Sequence, residues 1–350
     1  MKIKSLINCI IIVALLICVI IPEAMANENN DQIVWKLGHV EVPDVYNQFI
    51  HTMSYVFKNY VEVRSGGKVK VEIYPGSQLG LDTELVEQVK IGTIQVAGVG
   101  EGGIAPFYEP IQSLLIPFLF KSESVVWEVL DGPFGKELFD DMANTTGLRI
   151  VSTGRGLFRH FTNNVKPIHN PDDLKGIKFR TMTVPLTVEM VKALGGAATP
   201  IPWADLYNAL QMNVVEGQEN PVSVIRGGNL YEVQKYLTLD GHQFGGNYLV
   251  VNEQWYQNLS PDLKKVVKDA TYLASLAGRG TALTSDAVSL EFLKEKGMEV
   301  YAPTPEELAQ FKEISQPPVI EWFVENIDSD RRWTDKLFKA IEVAEKELEI

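Results

Sequence analysis

Segments with a two-residue apolar period alternate along this chain with segments whose apolar residues recur every three or four positions. That alternation limits the fold: strands joined through helices build an α/β architecture on largely parallel sheets. Residues 34–40 read as a strand, and a helix opens near Pro43. Tyr46, Phe49, Met53, Phe57 and Tyr60 give that helix one apolar stripe. Gly66 and Gly67 end it, residues 69–74 alternate as a second strand, and 81–91 form a helix started by Asp82 and stopped by Gly92. Residues 94–99 make a third strand. The pattern restarts after Gly147, with strands at 148–152, 177–180 and 247–251 and helices at 185–194 and 204–212. Ser260 and Pro261 then open a helical pattern that reaches Gly297, long enough to lie along two domains. Thr304 to Glu307 is a capping box, and a charged amphipathic helix closes the chain.

The chain has 350 residues, of which 45% are hydrophobic, which suits two domains with cores of their own. Its first residues have a different character. Lys2 and Lys4 precede an apolar run over 10–21, and Ala24-Met25-Ala26 follows. A short basic region, an apolar run too short to span a bilayer and an A-x-A site describe a secretory signal peptide over 1–26. Cleavage after Ala26 removes Cys9 and Cys18 and leaves no cysteine, so the exported fold rests on core burial.

Gly98-Val99-Gly100-Glu101-Gly102-Gly103 matches a dinucleotide fingerprint, yet Glu101 sets a carboxylate where phosphates would sit and Ala105-Pro106 follows at once. A flexible turn that brings backbone close to something small is the better reading. The mature chain has no H-E-x-x-H, G-x-S-x-G or C-x-x-C motif, and its histidines lack metal-ligand spacing. Neither a metal nor a cofactor is expected.

Net charge is −13, which argues against nucleic acid as a partner. Inside this acidic chain, residues 155–180 hold Arg155, Arg159, Lys166, Lys175, Lys178 and Arg180 against Asp172 and Asp173. Such a segment can gather a small anion. Arg180 ends a strand in which Ile177 and Phe179 face one way and Lys178 and Arg180 the other. A planar guanidinium there can hold a carboxylate through two parallel hydrogen bonds.

At these residues the sequence resembles the extracytoplasmic solute-binding proteins of tripartite ATP-independent periplasmic (TRAP) transporters. The segments that carry the resemblance are Tyr74-Pro75-Gly76-Ser77-Gln78-Leu79-Gly80, Arg159-His160-Phe161-Thr162-Asn163, residues 171–180, and Val215-Glu216-Gly217-Gln218-Glu219-Asn220-Pro221. The resemblance implies a two-domain periplasmic-binding-protein architecture with hinge strands, a long helix spanning both domains, and a ligand enclosed between them. It places domain I at 33–156 with 245–285, and domain II at 157–244 with 286–350. It implies that Arg180 grips a substrate carboxylate, with Asn220 as a hydrogen-bond partner and Arg159 as a second ligand-facing arginine. Glu101 falls where some members contact polar groups of the ligand, and Trp203, His39 and His242 fall at cleft-lining positions. Arg155 stands where many members carry a neutral residue, as a counter-ion for a second carboxylate or as a solvated side chain.

The expected function is capture of a small organic acid, a C4-dicarboxylate or a sugar acid such as a uronate, for TRAP membrane permease subunits. The expected protein is periplasmic and monomeric, and is not an enzyme. A binding protein serving an ABC transporter or a sensor needs the same closing cleft, and an exported hydrolase built on Glu101 and a histidine is a further alternative.

Overall fold

The computed structural model describes residues 32–350 other than 155, so the expected signal segment and Arg155 lie outside the described residues. The first stretch runs β1 (Ile33–His39), α1 (Phe49–Arg64), β2 (Val69–Tyr74), α2 (Asp82–Ile91), β3 (Val96–Gly100), α3 (Glu101–Ile104), α4 (Glu123–Asp131), α5 (Pro133–Thr146) and β4 (Leu148–Thr153). The second runs β5 (Leu157–Asn163), β6 (Lys178–Thr181), α6 (Pro185–Ala193), β7 (Ala197–Pro200), α7 (Trp203–Gln211), β8 (Gly217–Asn220), α8 (Val222–Gly227) and β9 (Tyr236–Gly245). Then come β10 (Asn247–Asn252), α9 (Glu253–Asn258), α10 (Pro261–Glu295), β11 (Glu299–Tyr301), α11 (Pro305–Asn326) and α12 (Arg332–Glu347).

The α/β expectation holds, in two sheets. One has the order β2-β1-β3-β10-β4 and the other β11-β9-β5-β8-β6-β7. Largely parallel pairing does not hold throughout. β1, β2 and β3 are parallel, but β10 runs antiparallel to both β3 and β4, and β5 runs antiparallel to β8 and β9. The cause is local. Only Gly246 separates β9 from β10 and only residues 154–156 separate β4 from β5. The chain therefore leaves the first sheet through β4 and β5 and returns through β9 and β10 in the opposite direction, which sets β10 antiparallel to β4 and β9 antiparallel to β5. At both places the chain passes from one sheet to the other.

α10 ties the two sheets together. Val267, Ala270 and Ala274 from its first half pack with Trp35, Leu37, Met53 and Phe57, whereas Leu293 packs with Leu206, Leu210 and Leu237. Asp286 on the same helix accepts the backbone N–H of Ser223 at 3.0 Å, at the start of α8. Ser260 caps α10 by accepting the N–H of Leu263, and the Thr304 capping box forms as its sequence predicts. α12 returns to α4 and α5, where Trp333 meets Phe134 edge-on and Arg332 pairs with Glu137 and Asp141.

α1 begins at Phe49, later than Pro43. Asp44 Oδ1 first takes the N–H groups of Tyr46 and Asn47 in a tight turn, which leaves Tyr46 exposed. Glu41 Oε2 then accepts the N–H groups of Ile50 and His51 at 2.9 and 3.2 Å, satisfying two orphan donors of the helix start. No described helix is long and apolar enough to cross a membrane.

Candidate functional site

A cavity of about 420 Å³ opens between the sheets. One wall is made by the turns that follow β1, β2 and β3, the other by the ends of β6 and β8 and the start of α7. Ligand crevices of α/β sheets lie at these carboxyl ends of strands, where the connections to helices diverge. Arg180, Arg159, Asn220, Glu101 and Trp203, all expected at the site, line this cavity together.

Arg180 sits at the end of β6 and is 3% exposed. Its Nε donates to the carbonyl of Ile201 at 2.7 Å, and among the described residues no acceptor takes its terminal nitrogens. Burial pushes its pKa down to about 10, with Arg159 adding to the fall while Glu219 and Asp82 oppose it. A desolvated guanidinium with open donors is suited to an incoming carboxylate.

Arg159 is held differently. Its Nε and Nη2 donate to the two carboxylate oxygens of Glu219, and Nη2 also reaches the Glu219 carbonyl at 2.8 Å and Asn220 Oδ1 at 3.1 Å. Glu219 is buried behind the wall; burial raises its pKa, but the charge of Arg159 and hydrogen bonds from His242 and Arg159 bring it to about 2. Arg159 thus enters the cavity already neutralised by a protein carboxylate.

The opposite wall is acidic. Glu101 opens α3, and its Oε1 accepts the N–H of Gly246 and, at 2.9 Å, the hydroxyl of Tyr248. A Cβ at position 246 would lie 2.2 Å from the Tyr248 hydroxyl and 2.6 Å from that carboxylate, so only glycine allows the approach. Burial raises Glu101 to about 7 against the pull of these donors and Arg159. The flexible turn expected at 98–103 is therefore the end of a strand and one helical turn. Glu41 and Asp82, which the sequence reading did not single out as ligand-facing, line the cavity too. Burial raises Glu41 to about 8, with Asp82 adding to the rise, and raises Asp82 to about 6 despite Arg180.

Two expected ligand contacts are corrected. His39 is fully buried at the end of β1, where its Nε2 lies 3.0 Å from Nδ1 of His51, outside the cavity lining. His242 is also fully buried. Its ring stacks on Phe161, with Nδ1 2.7 Å from Asp240 and Nε2 3.5 Å from Glu219, so it supports Arg159 from behind. Within the basic stretch, Lys166 pairs with Asp173, Lys175 pairs with Asp172, and Lys178 is exposed. Only Arg159 and Arg180 of its described cations reach the cavity.

The family model for bacterial extracellular solute-binding protein, family 7, matches residues 38–326. The chain belongs to this family. The proteins it is similar to include TRAP-type binding proteins with ligands named. The chain is 30% identical to the sugar acid binding protein of Advenella mimigardefordensis, solved in complex with galactonate, covering 89% of this chain and 99% of that one with a TM-score of 0.84. It is 28% identical to a TRAP periplasmic solute binding protein of Sulfurospirillum deleyianum with bound succinate, covering 89% and 99% with a TM-score of 0.81. The C4-dicarboxylate-binding periplasmic protein of Rhodobacter capsulatus is 29% identical over 82% of this chain and 85% of its own. As a family 7 protein, the chain shares a binding fold with proteins whose named ligands include a sugar acid and a dicarboxylate.

Proposed function

We propose that this protein captures a small organic acid, a sugar acid or a C4-dicarboxylate, and carries it unaltered to a TRAP-type membrane permease. Arg180 grips the carboxylate, Asn220 and Arg159 flank it, and Trp203 covers the cavity side formed by α7. The observation that carries this reading is the burial of Arg180 with its terminal nitrogens open to the cavity. An unpaired buried guanidinium is costly, so the two lobes close stably only around an anion, and the ligand biases the hinge. A permease can then recognise the closed shape. Export through the segment at 1–26 would place the protein in the periplasm, where such a carrier works.

The test is a thermal-shift screen of organic acids followed by calorimetry on Arg180→Ala. At least one carboxylate should stabilise the parent protein, be recovered chemically unchanged, and lose about 2–5 kcal/mol of binding in the variant. Unchanged affinity in Arg180→Ala would refute the role given to this residue.

A further inference from the structure

We propose that the cavity selects a polyhydroxylated monocarboxylate over a dicarboxylate, and that Glu41 and Asp82 are the residues that decide it. This rests on the reading of Arg180 as the carboxylate anchor. Among the described residues, the charged side chains lining the cavity are Glu41, Asp82, Glu101, Arg159 and Arg180. Arg159 is paired with Glu219 through both carboxylate oxygens. Among the described residues one guanidinium is then left for an anion, facing three carboxyl groups.

The three acids are not scattered. Each follows a different one of the adjacent strands β1, β2 and β3, so together they form the wall opposite β6 and Arg180. Asp82 and Arg180 feel each other's charge, as do Glu41 and Asp82. A ligand anchored at Arg180 thus shares the cavity with Asp82 and Glu41. Oxygens remain open there. Glu41 uses Oε2 for the N–H groups of Ile50 and His51, and among the described residues no donor reaches its Oε1. No donor from another described residue reaches the carboxyl of Asp82, which is contacted by its own backbone N–H.

Open carboxyl oxygens in a desolvated cavity accept hydrogen bonds from hydroxyls, whereas a second carboxylate brings them no donor and finds no free cation among the described residues there. A wall that requires such partners also discriminates against a ligand lacking hydroxyls, because its polar groups would stay unpaired. Such a site favours a chain of hydroxyls beyond the anchored carboxylate.

The experiment is calorimetric titration of the purified protein with matched pairs of four-, five- and six-carbon aldonic acids and the diacids made by oxidising their terminal CH₂OH. Galactonate and galactarate form one pair, and succinate is added as a dicarboxylate without hydroxyls. The expected result is that the best monoacid binds at least about 100-fold more tightly than its diacid and than succinate. In the isosteric double variant Glu41→Gln, Asp82→Asn, that gap should shrink at least about tenfold, chiefly because the diacid gains. Should the double variant not fold by circular dichroism, the parent ratios alone decide. Diacids binding as well as or better than their monoacids, lost in Arg180→Ala, would overturn this proposal and leave the function proposed above standing. An unchanged ratio in a folded double variant would remove Glu41 and Asp82 from it. If no member of the panel binds, this proposal falls, while the function proposed above is judged by the wider thermal-shift screen of organic acids.

Discussion

Arg159 and Glu219 form a two-point ion pair inside the second sheet, with Glu219 fully buried and Arg159 reaching from it into the cavity. Removing the charge from one partner strands the other. Glu219→Gln should cost about 3–5 kcal/mol of stability, the scale for breaking a buried pair from one side. The acid limb tests the same relationship. The folded pKa of Glu219, about 2, lies below its ordinary value of 4.5. Its stabilisation is therefore complete above pH 4.5 and is lost as pH falls toward 2. Denaturation of parent and variant across that window should show a smaller loss in Glu219→Gln. Parallel curves would show that the pair contributes nothing to acid stability.

Why the sequence disclosed some of this site and hid the rest is visible in the same residues. Arg180 ends an alternating strand, so its placement follows from period and position, whereas Arg159 and Asn220 lie on strands that the periodicity does not mark and are reached only through the family resemblance. His39 and His242 sit at strand positions too, but an imidazole can be buried beside another polar ring or between carboxylates, and the sequence does not say which face has them. Glu41 and Asp82 were legible in principle. Both follow parallel strands at the end where ligands bind, yet Asp82 also reads as a helix starter, and that bland role accounts for its position without a ligand. The antiparallel return through β10 depends on a one-residue connection at Gly246, which no periodicity announces.

Arg180 binds at a cost to the empty protein. Its lowered pKa records that burial disfavours the charged form. Arg180→Met keeps an unbranched apolar stem and removes the charge, so the ligand-free protein should gain about 0.5–2 kcal/mol, the usual size of a stabilising substitution at a functional site. The same variant should show no thermal shift with any carboxylate that stabilises the parent. Chemical denaturation without ligand, paired with thermal shifts with ligand, checks both halves. Loss of stability in the empty variant would mean that Arg180 contributes to folding through its contact with Ile201.

His39 gives a pH dependence of defined sign. Burial, with His51 nearby, lowers its pKa from 6.5 to about 3. Between those values the unfolded chain binds a proton that the native protein does not, so this residue's contribution falls as pH drops through 6.5 toward 3. Glu41 and Glu101 titrate in part of the same range with the opposite sense, because their folded pKa values are raised. Comparison with His39→Gln isolates the histidine, since those acids are present in both proteins. The melting temperature of the variant relative to the parent should rise as pH is lowered from 7 to 5. A constant difference would show that His39 is not held neutral.

Tyr248 and Glu101 supply the last test. The phenol donates to Glu101 Oε1 at 2.9 Å, beside the N–H of Gly246. Glu101 titrates near pH 7, so the phenol meets a carboxylate above that pH and a neutral acid below it. A hydrogen bond to a charged acceptor contributes about 1.5–3 kcal/mol, and one between neutral groups about 0.5–1.5 kcal/mol. Tyr248→Phe should therefore cost more stability at pH 8.5 than at pH 5.5, by about 1 kcal/mol or more. Equivalently, the variant leaves Glu101 with less support for its ionised form, so its pKa moves further up. Urea denaturation at the two pH values measures the difference directly, and an equal cost at both would mean that Glu101 keeps one protonation state across the range.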